Sequence, residues 1–262
     1  MKKTILTTAI CSTLIASFPI HAESRLENIK QNHVVNVCIW PDYFAISYRN
    51  PRTMQLEGID IDMAYELGKT LNAKVNFVDS SFAKLAENMT NNQCDIAMHG
   101  VGVREDRKAV MDFAEPHLVS GIYAVSMKSN SGIKEWQDID QPGNIIVVQK
   151  GTYMEPVMLK YLKQAELSVV DSFKAREQEV MSGRADVFMT DYPYGKRMAA
   201  LTNWANLLQP ESPIAPTPYA YAVPKGDDEW LATINTFVKQ IKEDGRLAAS
   251  AKKHGLTPIV SP

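Results

Sequence analysis

Several residue patterns that would point to a particular chemistry are scarce or absent in this 262-residue sequence. Basic residues do not outnumber acidic ones, 28 against 30, whereas binding of nucleic acid needs a basic face. No Gly-x-Ser-x-Gly, Cys-x-x-Cys or His-Glu-x-x-His motif occurs, and Gly100-Val101-Gly102 is followed by Glu105 where a dinucleotide-binding loop has its third glycine. The histidines lack the spacing of metal ligands. We therefore expect no nucleic-acid partner, no metal and no cofactor.

The first 22 residues have the pattern of a secretory signal. Lys2 and Lys3 supply a positive start, residues 5–18 form an apolar region, and Ala22 is a small residue at a plausible cleavage point. The apolar region is too short for a stable membrane span. The pattern predicts a mature protein that is exported and soluble.

Cysteine is rare, and only Cys38 and Cys94 follow the predicted signal. An oxidising compartment would allow a disulfide between them. Each lies in or beside a predicted strand, however, and a buried free thiol behaves as a small hydrophobe. The pattern favours two unpaired core cysteines, with a disulfide as the alternative.

Apolar periodicity divides the remaining chain into two series of alternating strands and helices. After a leading helix at 25–31, the first series has predicted strands at 34–39, 75–78 and 95–98 and helices at 60–71 and 82–91. The second series has predicted strands at 145–148, 168–170 and 186–189 and helices at 153–164 and 174–181. Such alternation indicates an α/β fold with parallel sheets and helices on their faces.

Two extended segments, 120–127 and 217–224, join the two series and are typical of a two-strand hinge between lobes. Final helices predicted at 228–244 and 247–254 would complete the first lobe. We therefore expect a signal peptide at 1–22, lobe 1 at 23–122, lobe 2 at 123–218, and a return to lobe 1 at 219–262.

Residues 94–116 form the most informative stretch of the chain. They are predicted to hold a short buried strand, a Gly-x-Gly turn and a helical turn that carries Arg107. An arginine fixed beyond a strand end, beside small residues that permit close approach, suits the capture of a small carboxylate. A surface arginine after an ordinary turn is the alternative.

Five segments in this order resemble the periplasmic solute-binding proteins that feed amino-acid ABC transporters, family 3 of the bacterial extracellular solute-binding proteins. They are residues 42–43, 58–71, 95–116, 149–156 and 183–191. The resemblance covers nearly the whole mature chain. It implies a type II periplasmic-binding-protein fold, location in the periplasm, an amino-acid ligand, a permease partner and a monomer that is not an enzyme.

The resemblance also implies roles for individual residues. Arg107 would grip the ligand α-carboxylate, with help from backbone N–H groups at Thr152 and Tyr153, and Asp191 would receive the ammonium group. Aromatic walls would come from Tyr43 and Phe82. At His99, Gly100, Gly102 and Arg104 the family often has serine or threonine, so the shell around the carboxylate is expected to differ here.

Simpler interpretations stay open for these residues. Asp191 could cap the turn that follows it, and Tyr43 and Phe82 could be plain core aromatics. His99 could be a hydrogen-bonded histidine at a strand end, and Arg104 is expected to face solvent. The pair Asp60 and Asp62 is explained by the helix dipole at a helix start rather than by a metal site.

Two other functions remain as alternatives. Exported cyclohexadienyl dehydratases, which act on prephenate or arogenate, resemble this chain at residues 23–29, 42–49 and 139–143. Those enzymes carry a glutamate three residues after a Thr-Asp pair, and here that position is Tyr194, whose ordinary pKa near 10 makes it a poor acid. A ligand-loaded partner of a chemoreceptor or sensor is the third possibility.

Overall fold

The structure is a computed structural model that describes residues 24–261, so the predicted signal at 1–22 lies outside the described residues. In chain order the strands are β1 (Val34–Ile39), β2 (Asp42–Tyr43), β3 (Ser47–Arg49), β4 (Leu56–Glu57), β5 (Lys74–Asp79), β6 (Ile96–Ala97), β7 (Met111–Phe113), β8 (Leu118–Ser120), β9 (Tyr123–Met127), β10 (Ile145–Gln149), β11 (Glu166–Val170), β12 (Val187–Thr190), β13 (Ala205–Leu208), β14 (Thr217–Tyr219) and β15 (Ala222–Pro224). The helices are α1 (Arg25–Asn32), α2 (Ile59–Leu71), α3 (Leu85–Thr90), α4 (Glu105–Lys108), α5 (Met154–Tyr161), α6 (Phe173–Met181), α7 (Tyr192–Leu201), α8 (Asp228–Glu243) and α9 (Arg246–Lys253).

Two five-stranded sheets define two lobes. The lobe 1 sheet has the order β5-β1-β6-β15-β7, and the lobe 2 sheet has the order β11-β10-β12-β9-β13. In each lobe the first three strands of this order run parallel to one another. The fourth strand, β15 in lobe 1 and β9 in lobe 2, runs antiparallel to both of its neighbours. The predicted α/β fold with two lobes is confirmed. A small sheet of β2, β3 and β4, together with α7, was not predicted.

A two-stranded ribbon of β8 and β14 connects the lobes. The strands are antiparallel, with Thr217 opposite Ser120 and Tyr219 opposite Leu118. The chain leaves lobe 1 through β8 to reach β9 in lobe 2, and it returns through β14 to reach β15 in lobe 1. We propose that the lobes divide at 122/123 and 218/219, next to this ribbon.

Local sequence explains why these helices begin and end where they do. Ser24 caps α1 with a reciprocal contact to Glu27, and Asp227 caps α8 by accepting from the Trp230 N–H. Helix α2 buries Met63, Ala64 and Leu67 along one face, as its periodicity predicts. Among residues 24–261 no helix combines the length and the apolar character needed to cross a membrane.

The two cysteines of lobe 1 are bonded to each other. Cys38 in β1 and Cys94 just before β6 form a disulfide with a Cα–Cα distance of 5.6 Å. Both side chains are buried in the core, as expected, but the expectation of unpaired thiols is wrong. The physical reason is the strand order, because β1 and β6 are neighbours in the sheet and bring residues 56 positions apart together.

Candidate functional site

A buried crevice lies between the two lobes, where the carboxyl ends of β1, β6, β10 and β12 face each other. Its lining residues are Tyr43, Phe82, Gly100, Gly102, Arg107, Thr152, Tyr153, Met154, Phe173, Arg176, Thr190, Asp191 and Tyr219. The free space between them is about 20 Å³, enough for roughly one water molecule. A guest of amino-acid size therefore requires the facing side chains to move apart. Every predicted site residue except His99 lines this crevice.

Asp191 is placed at the crevice by the end of β12 and the start of α7. One carboxylate oxygen accepts a hydrogen bond from the Tyr194 N–H at 3.3 Å, so Asp191 does cap the helix. The other oxygen accepts from the Tyr43 hydroxyl and, at 2.7 Å, from the Tyr219 hydroxyl. Burial raises the pKa of Asp191, while the tyrosine hydroxyls act in the opposite direction. The carboxylate of lobe 2 is thus held by hydroxyls of lobe 1 and of the connecting ribbon.

Arg107 reaches the crevice from α4 in lobe 1. Its Nη1 donates to the Gly102 carbonyl at 2.8 Å, and its Nη2 donates to the Gly151 carbonyl of lobe 2 at 2.9 Å. Burial, followed by the charge of Arg104, lowers the pKa of Arg107 to about 9. The guanidinium therefore bridges the lobes while it lines the same crevice as Asp191.

Lobe 2 contributes to the site the turn that contains Gly151 and Thr152, which lies opposite Arg107. Arg104 donates to the Thr152 carbonyl at 2.9 Å and so faces lobe 2, which means that the expectation of a solvent-facing Arg104 is wrong. The Thr152 N–H donates to the Gln149 carbonyl at 3.3 Å in this arrangement. Glu155, in the first turn of α5, accepts from the Gly151 N–H at 2.7 Å, so its carboxylate has a structural role in holding this turn.

Gly151 is the point of closest approach between the lobes at this turn. Its φ is +77°, and a Cβ built there would lie 2.9 Å from the Ala83 nitrogen and 3.0 Å from the Phe82 carbonyl carbon. Both atoms belong to the backbone of lobe 1. Only glycine fits this contact, because a side chain would meet backbone that cannot rotate away.

Aromatic rings from both lobes enclose the crevice. Tyr43 and Phe82 meet edge to face with centroids 5.7 Å apart, and Trp40 stacks on Phe173 of lobe 2 at 5.0 Å. Tyr43 also contacts the Phe173 ring at 5.5 Å. The predicted pair of aromatic walls is therefore part of a larger cluster that spans the lobes, and the apolar surface it offers suits the carbon skeleton of a ligand.

His99 is buried beside the crevice but does not line it. Its ring packs edge to face on Phe82 at a centroid distance of 5.1 Å. Neither ring nitrogen has a hydrogen-bond partner. Burial, followed by the charge of Arg107, lowers the pKa of His99 to about 4. The imidazole is therefore neutral at pH 7 and supports Phe82 by packing.

A buried carboxylate fixes the Gly-x-Gly turn. Asp60, in the first turn of α2, accepts from the Gly100 N–H at 2.7 Å, and its other oxygen lies 3.1 Å from Nε2 of His117. Gly100 has a φ of +62°, and a Cβ there would lie 2.8 Å from the Tyr43 ring. Asp60 therefore does more than begin a helix, because it holds the turn that faces the ligand space.

Sequence reasoning missed three lining residues that carry a ring or a charge: Phe173, Arg176 and Tyr219. The spacing of Phe173, Arg176 and Val180 was a usable signal, since positions i, i+3 and i+7 lie on one helix face and all three are buried. Among residues 24–261 no cluster of three or more His, Cys, Asp or Glu side chains could hold a metal ion.

Comparisons with known proteins agree with this architecture. The family model of the bacterial extracellular solute-binding proteins, family 3, matches residues 35–257. Cyclohexadienyl dehydratase of Pseudomonas aeruginosa is 30% identical over 84% of this chain and 85% of its own length. The L-cystine-binding protein TcyJ of Escherichia coli is 24% identical over 88% of this chain and 86% of its own.

Solved structures show the same relationship. An ancestral amino acid-binding protein, a precursor of cyclohexadienyl dehydratase, superposes with a TM-score of 0.80 at 30% identity and covers 88% of this chain and 99% of its own. An ancestral arginine-binding protein bound to glutamine superposes with a TM-score of 0.77 at 26% identity, over 86% and 98% of the two chains. The chain therefore belongs to family 3 of the bacterial extracellular solute-binding proteins.

Proposed function

We propose that this protein binds an amino acid, or a similar small carboxylate, in the crevice between its lobes. The observation that carries the proposal is the shared position of two opposite charges from separate lobes, Arg107 and Asp191. A planar guanidinium can hold a carboxylate through two parallel hydrogen bonds, and a carboxylate can accept charge-assisted bonds from an ammonium. One zwitterion would satisfy both charges only when the lobes are together, so binding would favour closure.

The remaining roles follow from position. Tyr43 and Phe82 would cover the carbon skeleton of the ligand, while Gly100 and Gly102 leave room for it beside the guanidinium. The backbone N–H groups of Thr152 and Tyr153 would approach the ligand carboxylate from lobe 2, and the Thr152 N–H would give up its present bond to the Gln149 carbonyl. The ligand ammonium would take over the Asp191 oxygen that now accepts from the Tyr43 and Tyr219 hydroxyls. The names of several relatives, which are amino-acid-binding proteins, support this choice of ligand.

A thermal-shift screen of the mature chain against the common amino acids tests the proposal, followed by calorimetry of each ligand that shifts the melting temperature. The protein should first be unfolded and refolded to remove any co-purified ligand. We expect at least one amino acid to raise the melting temperature, and to raise it further as the ligand concentration increases above its dissociation constant. A screen in which none of them does so would refute amino-acid binding.

Catalysis is the second candidate function, because of the similarity to cyclohexadienyl dehydratase. Asp191 is the one carboxyl group among the described lining residues, and burial raises its pKa. Against catalysis, three donors already bond to this carboxylate, and they favour its ionised form. Tyr194, at the position of the enzymes' glutamate, donates to Glu177 and does not line the crevice. Burial raises the pKa of its hydroxyl further.

We therefore propose binding without turnover. Incubation with prephenate and with arogenate should leave both unchanged when the mixtures are followed by chromatography and by carbon dioxide release. Formation of an aromatic product at a rate proportional to protein concentration, lost in Asp191→Asn, would instead identify an enzyme.

We further propose export to the periplasm with cleavage after Ala22, and delivery of the ligand by the monomer to an ABC-importer permease. N-terminal sequencing of protein from the periplasmic fraction would test the cleavage, which predicts Glu23 as the first residue. Light scattering would test the monomer. Ligand-stimulated ATPase activity of the reconstituted importer would test delivery.

A further inference from the structure

Arg176 is a buried cation whose hydrogen bonds are incomplete. It lies on the inner face of α6 with 1% of its surface exposed. Its Nη1 donates to the Met189 carbonyl at 2.6 Å, while Nε and Nη2 are buried without a hydrogen-bond partner. Buried polar groups are almost always paired, and leaving donors of a charged group unpaired is costly. The unused donors therefore point to a partner that the protein itself does not supply.

The two unused nitrogens form one edge of the guanidinium. Nε and Nη2 present parallel N–H bonds, which is the arrangement that grips a carboxylate through both oxygens. The rings of Phe173 and Phe188 each lie 4.6 Å from the guanidinium carbon, and the ring of Tyr194 lies at 4.9 Å. These contacts hold the plane of the group, so little side-chain entropy remains to be lost on binding an anion.

Arg176 lines the same crevice as the two charges of the proposed site. The charged lining groups within the described chain are Arg107 and Arg176, which are cations, and Asp191, which is an anion. A neutral zwitterion would use Arg107 and Asp191 and bring no acceptor to the two unpaired donors of Arg176. A ligand with one more carboxylate would bring one.

We propose that Arg176 receives a second carboxylate of the ligand, so that the site prefers a dicarboxylic amino acid to the corresponding amide. This inference rests on the proposed amino-acid binding and adds its ligand class. Discrimination arises because an amide would place its NH₂ group against guanidinium N–H groups, and donors facing donors leave both unsatisfied.

Calorimetry with two matched pairs of ligands tests this inference: L-glutamate against L-glutamine, and L-aspartate against L-asparagine. For the wild-type protein we expect at least one acid to bind tenfold or more tightly than its amide. Arg176→Gln should remove that preference, and Arg176→Lys, which keeps the charge but not the forked donors, should retain only part of it. The melting temperature of each variant shows that it is folded.

Arg197→Gln is the matched control. Arg197 also packs its guanidinium against aromatic rings, 4.5 Å from Phe44 and 4.8 Å from Tyr48, but it does not line the crevice. We expect this variant to keep the wild-type preference.

The outcomes separate the two proposals. Wild-type protein that binds a neutral amino acid well, and the acids no better than their amides, would overturn the inference about Arg176 while leaving amino-acid binding intact. An Arg176→Gln variant that is folded and keeps the preference for acids would also overturn it, because Arg176 would then act only by packing. Absence of binding to any amino acid would refute the proposed amino-acid binding, and the inference would fall with it.

Discussion

Replacing Gly151 with alanine tests whether the approach of the two lobes at this turn is needed for binding. The new Cβ would lie 2.9 Å from the Ala83 nitrogen, whereas ordinary Cβ contacts begin near 3.4 Å. The lobes would therefore have to separate by about 0.5 Å at this point. The atoms in the way are backbone, so no side-chain rotation can relieve the contact.

This separation would weaken the two hydrogen bonds that cross the same gap. Arg107 to the Gly151 carbonyl and Arg104 to the Thr152 carbonyl both measure 2.9 Å, and an added 0.5 Å would take them beyond the usual range. Hydrogen bonds from charged donors contribute about 1.5–3 kcal/mol each. Weakening both should cost the closed form about 2 kcal/mol, or roughly 30-fold in ligand affinity.

Gly143→Ala is the control for backbone strain. Gly143 has a φ of +89°, similar to that of Gly151, but a Cβ there meets nothing within 4 Å. Both variants should lose about 1–2 kcal/mol of stability from the left-handed backbone. Only Gly151→Ala should lose affinity in calorimetry and show a larger radius of gyration by small-angle X-ray scattering with ligand present. Equal affinities for the two variants would refute the reasoning.

Three further predictions concern single groups. Folding lowers the pKa of His99 from 6.5 to about 4. As the pH falls, the unfolded state therefore takes up this proton before the folded state does. The free energy of unfolding should decrease between pH 6.5 and pH 4, by on the order of 3 kcal/mol. Urea titrations at several pH values should show this slope in the wild type and a weaker one in His99→Gln. Arg107→Ala should cost about 2–5 kcal/mol of ligand binding by calorimetry, whereas Lys108→Ala on the exposed side of the same helix should cost almost nothing. Replacing Cys38 and Cys94 together with alanine should lower the free energy of unfolding by about 4 kcal/mol, from a loop closed over 56 positions; urea midpoints equal to those of the oxidised wild type would contradict that.

The regular elements were largely predictable because local signals set them. Strand β1 has the predicted bounds, and α2 begins one residue earlier than predicted. Both predictions rest on apolar periodicity and helix-start residues, which involve only neighbouring positions of the chain. Helix α3 is shorter than predicted, from Leu85 to Thr90, because residues 82–84 form turns beside the crevice. Such boundaries depend on tertiary contacts, which periodicity does not contain.

The site was only partly predictable, for a related reason. Arg107 and Asp191 could be brought together in advance because each follows the carboxyl end of a strand in its own lobe, and ligands of such open α/β sheets bind at those ends. Tyr219 could not, because its position depends on how β14 pairs with β8. Arg176 was missed because a charged residue within a helix usually faces solvent, and only the neighbouring buried positions reveal that this face is turned inward.

One carboxylate ties the ligand-facing turn to the start of the lobe connection, with a consequence for interpreting mutants. Asp60 bonds to Gly100 on one side and to His117 on the other, and His117 directly precedes the strand by which the chain crosses to lobe 2. Replacing Asp60 with a residue that cannot accept these bonds would release both Gly100 and His117. Residue 60 does not line the crevice, so weak ligand binding in such a mutant would reflect the loss of these two structural bonds and not the loss of a contact with the ligand.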